Sequence, residues 1–384
     1  MPPRLYLDLH ILQSVPPSNL NRDDAGTPKH ALFGGARRAR VSSQAWKRAT
    51  RKAWAQEQPK ADHATRTKRI ASLLADTLKE SEDLSDTDAA RLATALLAPL
   101  GITPSQKKEE ETAYLLFFGH RQLQGIAQLV QGRGQELLQF DDADLAKELA
   151  DLKVDEELMQ SHPLEVALFG RMVANRAALN VDASVQVAHA LSTHAVETEF
   201  DYYTAVDDEN ERGETGAGMI GTVEFNSSTL YRYATVNIPY LHSNLGGTSD
   251  TQQATAEAVE GFTTAFVKSM PTGHQNSFAH RTLPHLVIAA LRTDQPINLV
   301  SAFEKPLHTR TGAAEKSAEL LAGEAQAIKE TWGSAPERVF ATYSPMSEGP
   351  TRALTEVFGA STSFPQLTSG LRESTLTWLR DGTL

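Results

Sequence analysis

The hydrophobic period of this sequence changes twice along the chain, and that change constrains the fold more than any other feature. Residues 4–12 and 222–241 alternate their side chains with a period of two, which is typical of strands, and the strand at 4–12 is expected to be half-buried. Between them, residues 62–180 repeat leucine and isoleucine at the three- and four-residue spacing of amphipathic helices. This pattern predicts an α+β protein with a large inserted helical subdomain.

Outside the insertion, the predicted elements follow the order strand, helix, strand, strand, helix, strand. This is the order of the ferredoxin-like or RRM-like fold. The six elements are predicted at residues 4–12, 43–56, 181–193, 222–241, 250–270 and 284–292. A further strand at 297–303, a helix at 313–332, a strand at 337–343 and a helix at 366–380 complete the prediction.

Composition restricts the chemistry and the compartment. The 384 residues include no cysteine, which excludes disulfides, a thiolate nucleophile and Cys-ligated zinc. The N-terminal apolar run contains Asp8 and His10 and lacks a basic region and a cleavage site, and no apolar run could span a bilayer. We therefore expect a soluble, cytoplasmic protein without a membrane partner. The net charge of −11 confines any nucleic-acid binding to local basic patches.

One such patch lies between Ala25 and Gln56, a stretch that contains no Asp or Glu. Its cations are Lys29, Arg37, Arg38, Arg40, Lys47, Arg48, Arg51 and Lys52. Gly34 and Gly35 allow another backbone to approach, and the arginines that follow could reach phosphates. The patch is either a nucleic-acid contact or a solvated basic surface.

The second half of this patch predicts a two-faced helix. At about 100° per residue, one arc carries Trp46, Ala49, Ala53 and Trp54, and the opposite arc carries Lys47, Arg48, Arg51 and Lys52. Ser42 and Ser43 are favoured N-cap residues, so the helix should begin there. A helix start offers free N–H groups and a partial positive charge to a phosphate.

Two carboxylates beside the patch, Asp23 and Asp24, are the best candidates for catalysis. They could hold Mg²⁺ against a nucleic-acid phosphate, or Asp23 and Asp24 could simply form an Asx turn. The GAGMIG sequence at 216–221 leads into a strand rather than a helix, so it does not predict a dinucleotide site. Likewise, the spacing of His274, His280 and His285 matches no common zinc pattern.

Three apolar side chains have both a functional and an ordinary interpretation. Tyr202 and Tyr203 lie in the glycine-rich stretch 195–221, where we expect an exposed loop or hairpin. They could stack on unpaired bases, or they could pack within the hairpin. Met172, in ALFGRMVA, is a core residue unless the fold places it at the surface.

Several motifs together resemble the Cascade backbone subunit of type I-E CRISPR systems, the CasC family. The motifs are PSNLNRDD from residue 17, K-x-A-x-FGG-x-RR-x-R-V-SSQ-x-x-KRA from residue 29, ALFGRM at 167–172, QVAHA at 186–190, YTAVDD at 203–208 and YRYA at 231–234. They occur in family order over the first 240 residues, and their combination is highly specific.

The resemblance implies a hand-shaped protein that has an RRM-like palm, helical fingers and a thumb. The palm would comprise 1–61, 181–194 and 222–384, the fingers 62–180 and the thumb loop 195–221. The residues that would contact RNA phosphates or sugars are Arg22, Lys29, Ser42, Gln44, Lys47, Arg48 and Arg51. Met172 would insert beside a displaced nucleotide, and Tyr202 and Tyr203 would form the aromatic pair of the thumb, where the family often has Trp-Phe.

The resemblance also implies a function and partners. Copies of the chain would assemble head to tail along a CRISPR RNA (crRNA) within Cascade, so that the guide can pair with target DNA. Cutting would belong to a separate helicase-nuclease, and this chain would need no cofactor or metal. Two alternatives are a metal-dependent ribonuclease that uses Asp23 or Asp24, and a generic RRM-like single-strand binder that acts as a monomer.

Overall fold

The computed structural model describes residues 4–59, 62–102, 111–112, 115–173, 176–206, 217–308 and 312–384. Its chain forms two compact units. Unit 1 comprises residues 1–54, 186–238 and 259–384, and unit 2 comprises residues 55–185 and 239–258. The division into palm, fingers and thumb is a functional one and stays a prediction.

The strands and helices alternate irregularly along the chain. In chain order, the strands are β1 (Tyr6–Ser18), β2 (His30–Phe33), β3 (Ala36–Val41), β4 (Ala64–Thr67), β5 (Leu116–Gly119), β6 (Val185–Val187), β7 (Ala190–Ser192), β8 (Glu199–Val206), β9 (Ala217–Asn237), β10 (Leu286–Arg292) and β11 (Arg338–Tyr343). The α-helices are α1 (Ser43–Ala55), α2 (Ile70–Glu82), α3 (Asp86–Leu97), α4 (His120–Gln128), α5 (Gly134–Leu137), α6 (Asp142–Ala150), α7 (Val154–Met159), α8 (Leu164–Phe169), α9 (Ile238–Asn244), α10 (Gln252–Lys268), α11 (Gln275–Phe278), α12 (Ala313–Trp332), α13 (Glu348–Phe358) and α14 (Phe364–Asp381).

Unit 1 is built on an antiparallel sheet. Its strands follow the order β11-β10-β1-β9-β7-β3-β2, and β8 also pairs with β9. β1 lies between the long β9 and β10, with Leu9 opposite Ala234 on one side and Ala289 on the other. This mixture of an antiparallel sheet and many helices confirms the predicted α+β class.

The central strand β1 is buried on both of its faces. Leu7, Leu9 and Ile11 are fully buried, as predicted, but Asp8 and His10 on the opposite face are buried too. The prediction of a half-buried strand was therefore wrong. Neighbouring strands and loops supply partners for both polar side chains. Tyr233 donates its hydroxyl proton to Asp8 Oδ1 at 2.8 Å, the Ile297 N–H donates to Asp8 Oδ2 at 2.9 Å, and His10 Nδ1 lies 2.9 Å from the Tyr231 hydroxyl.

The segment predicted as a strand at 297–303 is instead a short 3-10 helix over Leu299–Phe303. Two side chains stabilise its first turn. Asn298 Oδ1 accepts a hydrogen bond from the Val300 N–H, and the Tyr231 hydroxyl accepts one from the Leu299 N–H. An apolar run of this length cannot by itself distinguish a strand from a helical turn.

Unit 2 is largely helical and has its own apolar core. Helices α2, α3, α4, α6 and α7 direct leucines and isoleucines into that core, including Leu74, Leu92 and Ile126. The sequence pattern missed β4 and β5, which pair antiparallel within this unit. β5 is the short apolar run LFFG, and helix α4 begins directly after it. The helical spacing of the residues that follow therefore hides the strand period of β5.

Among the helices of the described residues, none is both long and apolar enough to cross a bilayer.

Candidate nucleic-acid interface

The α1 helix begins where the sequence predicts, and its first turn is capped. Ser42 Oγ accepts a hydrogen bond from the Ala45 N–H at 3.3 Å, as an N-cap serine should. Ser42 is itself held by the loop before β2, because its N–H donates to Asn21 Oδ1 at 2.9 Å. The helix start is therefore fixed to the loop that carries Arg22 and Lys29.

The faces of α1 match the predicted arcs. Trp46, Thr50 and Trp54 are buried, whereas Gln44, Arg48 and Lys52 form an exposed stripe at four-residue spacing. Lys47 and Arg51 are half-buried beside that stripe. The helix thus packs with its tryptophans and directs its basic side chains outward.

The loop before β2 is ordered by Asp23. Its Oδ1 accepts hydrogen bonds from the N–H groups of Ala25 and Thr27, both at 3.0 Å. This is the Asx-type turn that the sequence allowed. At the start of the loop, the exposed Arg22 donates from its guanidinium to His274 Nε2 at 2.6 Å. Lys29 closes the loop, because its N–H donates to the Asn21 carbonyl at 2.8 Å.

The structure of the β2–β3 hairpin shows that one arginine of the predicted basic patch is not exposed. Arg38 is fully buried and does not belong to the exposed surface. It donates to the carbonyl oxygens of Ser192 at 2.9 Å and of Phe303 at 2.7 Å, so it anchors the hairpin. Gly34, at φ +57°, lies so close to the Glu304 carbonyl that a Cβ atom would clash with it. Arg37 and Leu32, which face each other across the hairpin, are exposed.

Several cations of this region lack an acidic partner. Within the described ranges, no Asp or Glu lies at salt-bridge distance from any member of the set. We call this set the cationic surface of unit 1, and its members are Arg22, Lys29, Arg37, Arg40, Arg48 and Lys52. Uncompensated positive charge on an acidic chain favours a polyanionic ligand.

The stretch 195–221 contains a β-hairpin formed by β8 and the start of β9. Tyr202 pairs with Thr222 and Tyr203 with Gly221, so the two tyrosines alternate between the faces of the hairpin. Their side chains are 63% and 42% exposed. Phe200, which was not predicted as a site residue, shares a face with Tyr202 and is 67% exposed. Residues 207–216 lie outside the described ranges, and with them Gly216 of the GAGMIG sequence, whose remaining residues lie in β9.

In unit 2, the RM pair of ALFGRM has one buried and one exposed member. Arg171 is buried and donates to the carbonyls of Leu179 at 2.7 Å and Leu158 at 2.9 Å. Gly170 adopts φ +73°, and an added Cβ would lie 2.7 Å from the Val181 carbonyl oxygen. The next residue, Met172, is 83% exposed. This exposure excludes the core alternative for Met172.

The histidines singled out by the sequence have separate environments. His280 is buried against the Pro271 carbonyl, His285 contacts Ser14, and His274 contacts Arg22. In the described part of the chain, no group of three His, Asp or Glu side chains is arranged to hold a metal ion.

Together, the fold and the site define a mixed α/β protein with an antiparallel sheet, in which a loop, strand β3 and helix α1 present a cationic surface suited to a nucleic-acid backbone. Comparison with known proteins is consistent with this class. The model of the CT1975-like protein family matches residues 7–369. The chain therefore belongs to the CT1975-like protein family.

Two solved structures are similar over nearly the whole chain. The first is described as a "CRISPR RNA-guided surveillance complex, pre-nicking"; its chain is 30% identical, has a TM-score of 0.81, and the match covers 96% of this chain and 100% of that chain. The second is described as a "CRISPR RNA-guided surveillance complex", with 27% identity, a TM-score of 0.71, and coverage of 96% and 99%. Among curated proteins, no match is found.

Proposed function

We propose that this chain is the noncatalytic crRNA-binding backbone subunit of a Cascade-type surveillance complex, of the type I-E CasC kind. The observation that carries the proposal is the cationic surface of unit 1, in a chain similar to subunits of RNA-guided surveillance complexes. In this proposal, the chain acts in the cytoplasm with a crRNA, other Cascade subunits and a separate helicase-nuclease.

The chemistry of the surface suits a guide of any sequence. Guanidinium and ammonium groups, together with the capped start of α1, bind phosphates and sugars and leave base edges free. A guide held in this way can pair its bases with target DNA. The contacts to phosphates and sugars are made by Arg22, Lys29, Ser42, Gln44 and Arg48, together with the half-buried Lys47 and Arg51.

Exposed apolar side chains provide the second element of the proposal. Tyr202 and Tyr203 on the β8–β9 hairpin stack on or displace bases, and Phe200 extends the face of Tyr202. Met172 inserts beside a displaced nucleotide. Aromatic and methionine side chains are indifferent to base identity, which is the property that a guide-binding subunit needs.

The topology of unit 1 supports an RRM-like palm. The strands β10, β1, β9 and β7 are adjacent in that order, and each neighbouring pair is antiparallel. Helix α1 follows β1 in the chain, and α10 follows β9. A split βαβ arrangement of this kind is expected of a ferredoxin-like fold.

Copies of the chain assemble head to tail along the crRNA, which limits the length of the filament. The thumb hairpin of one copy acts on the strand held by its neighbour. A generic single-strand binder would instead bind RNA as a monomer.

The test is purification of the chain expressed with its Cascade partners and a CRISPR array, followed by sequencing of the RNA that remains bound. We expect a discrete crRNA, and we expect its recovery to fall when Lys29 and Arg48 are both replaced by alanine. Absence of small RNA from the wild-type preparation would reject the proposal. Equal recovery of unrelated RNA by monomers would favour the generic binder.

A further inference from the structure

A histidine that the proposed function does not use lies beside two members of the cationic surface. His189 is exposed between β6 and β7, within the QVAHA motif. Strand β7 pairs with β3, and this pairing places Arg40 opposite Leu191. Arg40 Nη1 lies 3.1 Å from His189 Nδ1, although the two residues are 149 positions apart in the chain.

The chemistry of this contact determines which nitrogen of the neutral imidazole carries the proton. A guanidinium has only donors, so His189 Nδ1 must accept the hydrogen bond through its lone pair. The neutral ring therefore carries its proton on Nε2, and that nitrogen remains a donor. In this state, Arg40 has one N–H bound to His189, and its Nε donates to the His30 carbonyl at 3.2 Å.

Among the described residues, the charged groups that act on His189 are Arg40 and Lys29, and both are positive. Partial burial, Arg40 on β3 and Lys29 before β2 all lower the pKa of His189 below its usual range. Lys29 is close because its carbonyl accepts the Arg40 N–H at 2.9 Å. Within the described residues, neither Lys29 nor Arg40 forms an ion pair that would offset this repulsion.

We infer that Lys29, Arg40 and His189 form one phosphate subsite, in which His189 takes up a proton from solvent when the phosphate binds. The inference rests on the proposed function and adds His189 to its binding residues. An anion between these groups reverses the local balance of charge, so that the imidazolium is stabilised rather than repelled. Protonated His189 then donates from Nδ1 to the phosphate, and the N–H of Arg40 that it had accepted is released to the same ligand.

The experiment measures the affinity of the purified chain for a labelled single-stranded RNA of mixed sequence at several pH values. Proton uptake at one site predicts that wild-type affinity increases as pH falls from about 8 to about 6, by at most tenfold per pH unit. In His189→Gln, glutamine can still accept the hydrogen bond from Arg40 but cannot become charged. We expect the increase in affinity from pH 8 to pH 6 to be smaller in this variant than in wild type by a factor of about three or more. At pH 8, the variant should bind nearly as well as wild type.

A matched control separates the charge of the subsite from its protonation. Lys29→Gln should weaken binding at every pH and keep a pH dependence. NMR should also show a higher pKa for His189 in the RNA-bound chain than in the free chain.

The outcomes distinguish this inference from the proposed function. If wild type and His189→Gln bind RNA with the same pH dependence, or if the pKa of His189 does not rise on binding, the inference is wrong and the proposed function stands. If wild type binds no RNA at any pH, the inference is wrong, and recovery of crRNA from the assembled complex decides the proposed function separately.

Discussion

The guanidinium of Arg232 lies 3.7 Å from the centroid of the Trp46 ring, so a buried cation lies directly beneath the helix that presents the exposed ones. Phe266 contributes a second ring at 4.7 Å. Arg232 donates to Gln13 Oε1 at 2.6 Å and to the Phe266 carbonyl. Burial lowers its pKa to about 9, which leaves it charged at neutral pH.

Replacing Arg232 should therefore destabilise unit 1. Arg232→Met removes the ring contact and leaves Gln13 Oε1 and the Phe266 carbonyl without this donor, so we expect a loss of about 2–4 kcal/mol in the free energy of unfolding. Urea denaturation measures it. The control is Arg352→Met, whose arginine makes an exposed pair with Glu356 and should change stability by about 0.5 kcal/mol or less. Equal stability of the two variants would contradict the role given to Arg232.

The cationic surface predicts a defined salt dependence of RNA binding. Each phosphate contact contributes about 0.7 to the slope of log affinity against log salt for a single strand. The double variant Lys29→Ala, Arg48→Ala should therefore lower that slope by about 1.4. The double variant Lys316→Ala, Arg352→Ala changes net charge equally at residues that pair with Glu319 and Glu356, and it should leave the slope unchanged. An identical slope in both double variants would place the RNA elsewhere.

Asp23 should act in the turn rather than in cleavage. Asp23→Ala removes the acceptor of two backbone hydrogen bonds and should cost about 1 kcal/mol of stability, whereas Asp23→Asn keeps an acceptor and should cost less. Incubation of wild type with bound RNA and Mg²⁺ should give no cleavage. Regular cleavage that disappears in Asp23→Asn or Asp24→Asn would instead establish the ribonuclease alternative.

In unit 2, the stability of the fold should depend on Gly170 and not on Met172. Gly170→Ala forces a Cβ against the Val181 carbonyl at a positive φ, so we expect a loss of about 2 kcal/mol or more. Met172→Ala removes an exposed side chain and should change stability by about 0.5 kcal/mol or less. Thermal unfolding of the two variants tests both values. A large loss in Met172→Ala would mean that this methionine packs rather than binds.

The buried pair Asp8 and His10 should have opposite effects on stability as pH changes. Burial raises the pKa of Asp8 from 3.8 to about 6, so the folded chain holds a proton there that the unfolded chain releases. Burial, together with the positive charge of Arg292, lowers the pKa of His10 from 6.5 to about 3, so the unfolded chain binds a proton there that the folded chain does not. Between about pH 4 and 6 these two effects cancel.

Removing either group should reveal the pH dependence of stability that the other group causes. In Asp8→Asn, only the His10 effect remains, and stability should fall on acidification with a slope approaching about 1.4 kcal/mol per pH unit. In His10→Gln, stability should rise over the same range, because protonated Asp8 is favoured in the fold. Denaturation midpoints of wild type and both variants at several pH values measure the difference. Parallel profiles would show that the two groups titrate alike in the folded and unfolded chains.

Local features of the fold could be predicted from the sequence because they depend on neighbouring residues. The cap at Ser42, the two faces of α1 and the strand conformation of β9 are of this kind. A strand period of two also places Phe200, two residues before Tyr202, on the same face as that tyrosine.

Other features depend on partners that are distant in the chain. Arg37 and Arg38 are adjacent arginines on one strand, and their alternation predicts opposite faces without saying which is buried. The carbonyls of Ser192 and Phe303, more than 150 positions away, decide that it is Arg38. The same holds for Asp8 with Tyr233 and for Arg40 with His189.

The placement of positive charge on this protein has a kinetic consequence. The chain carries a net charge of −11, yet six cations of one unit lack acidic partners among the described residues. A polyanion that diffuses toward the molecule meets a repulsive mean field and, at this surface, a locally attractive region. Its direction of approach is therefore selected before any atomic contact forms, and this steering weakens as ionic strength rises.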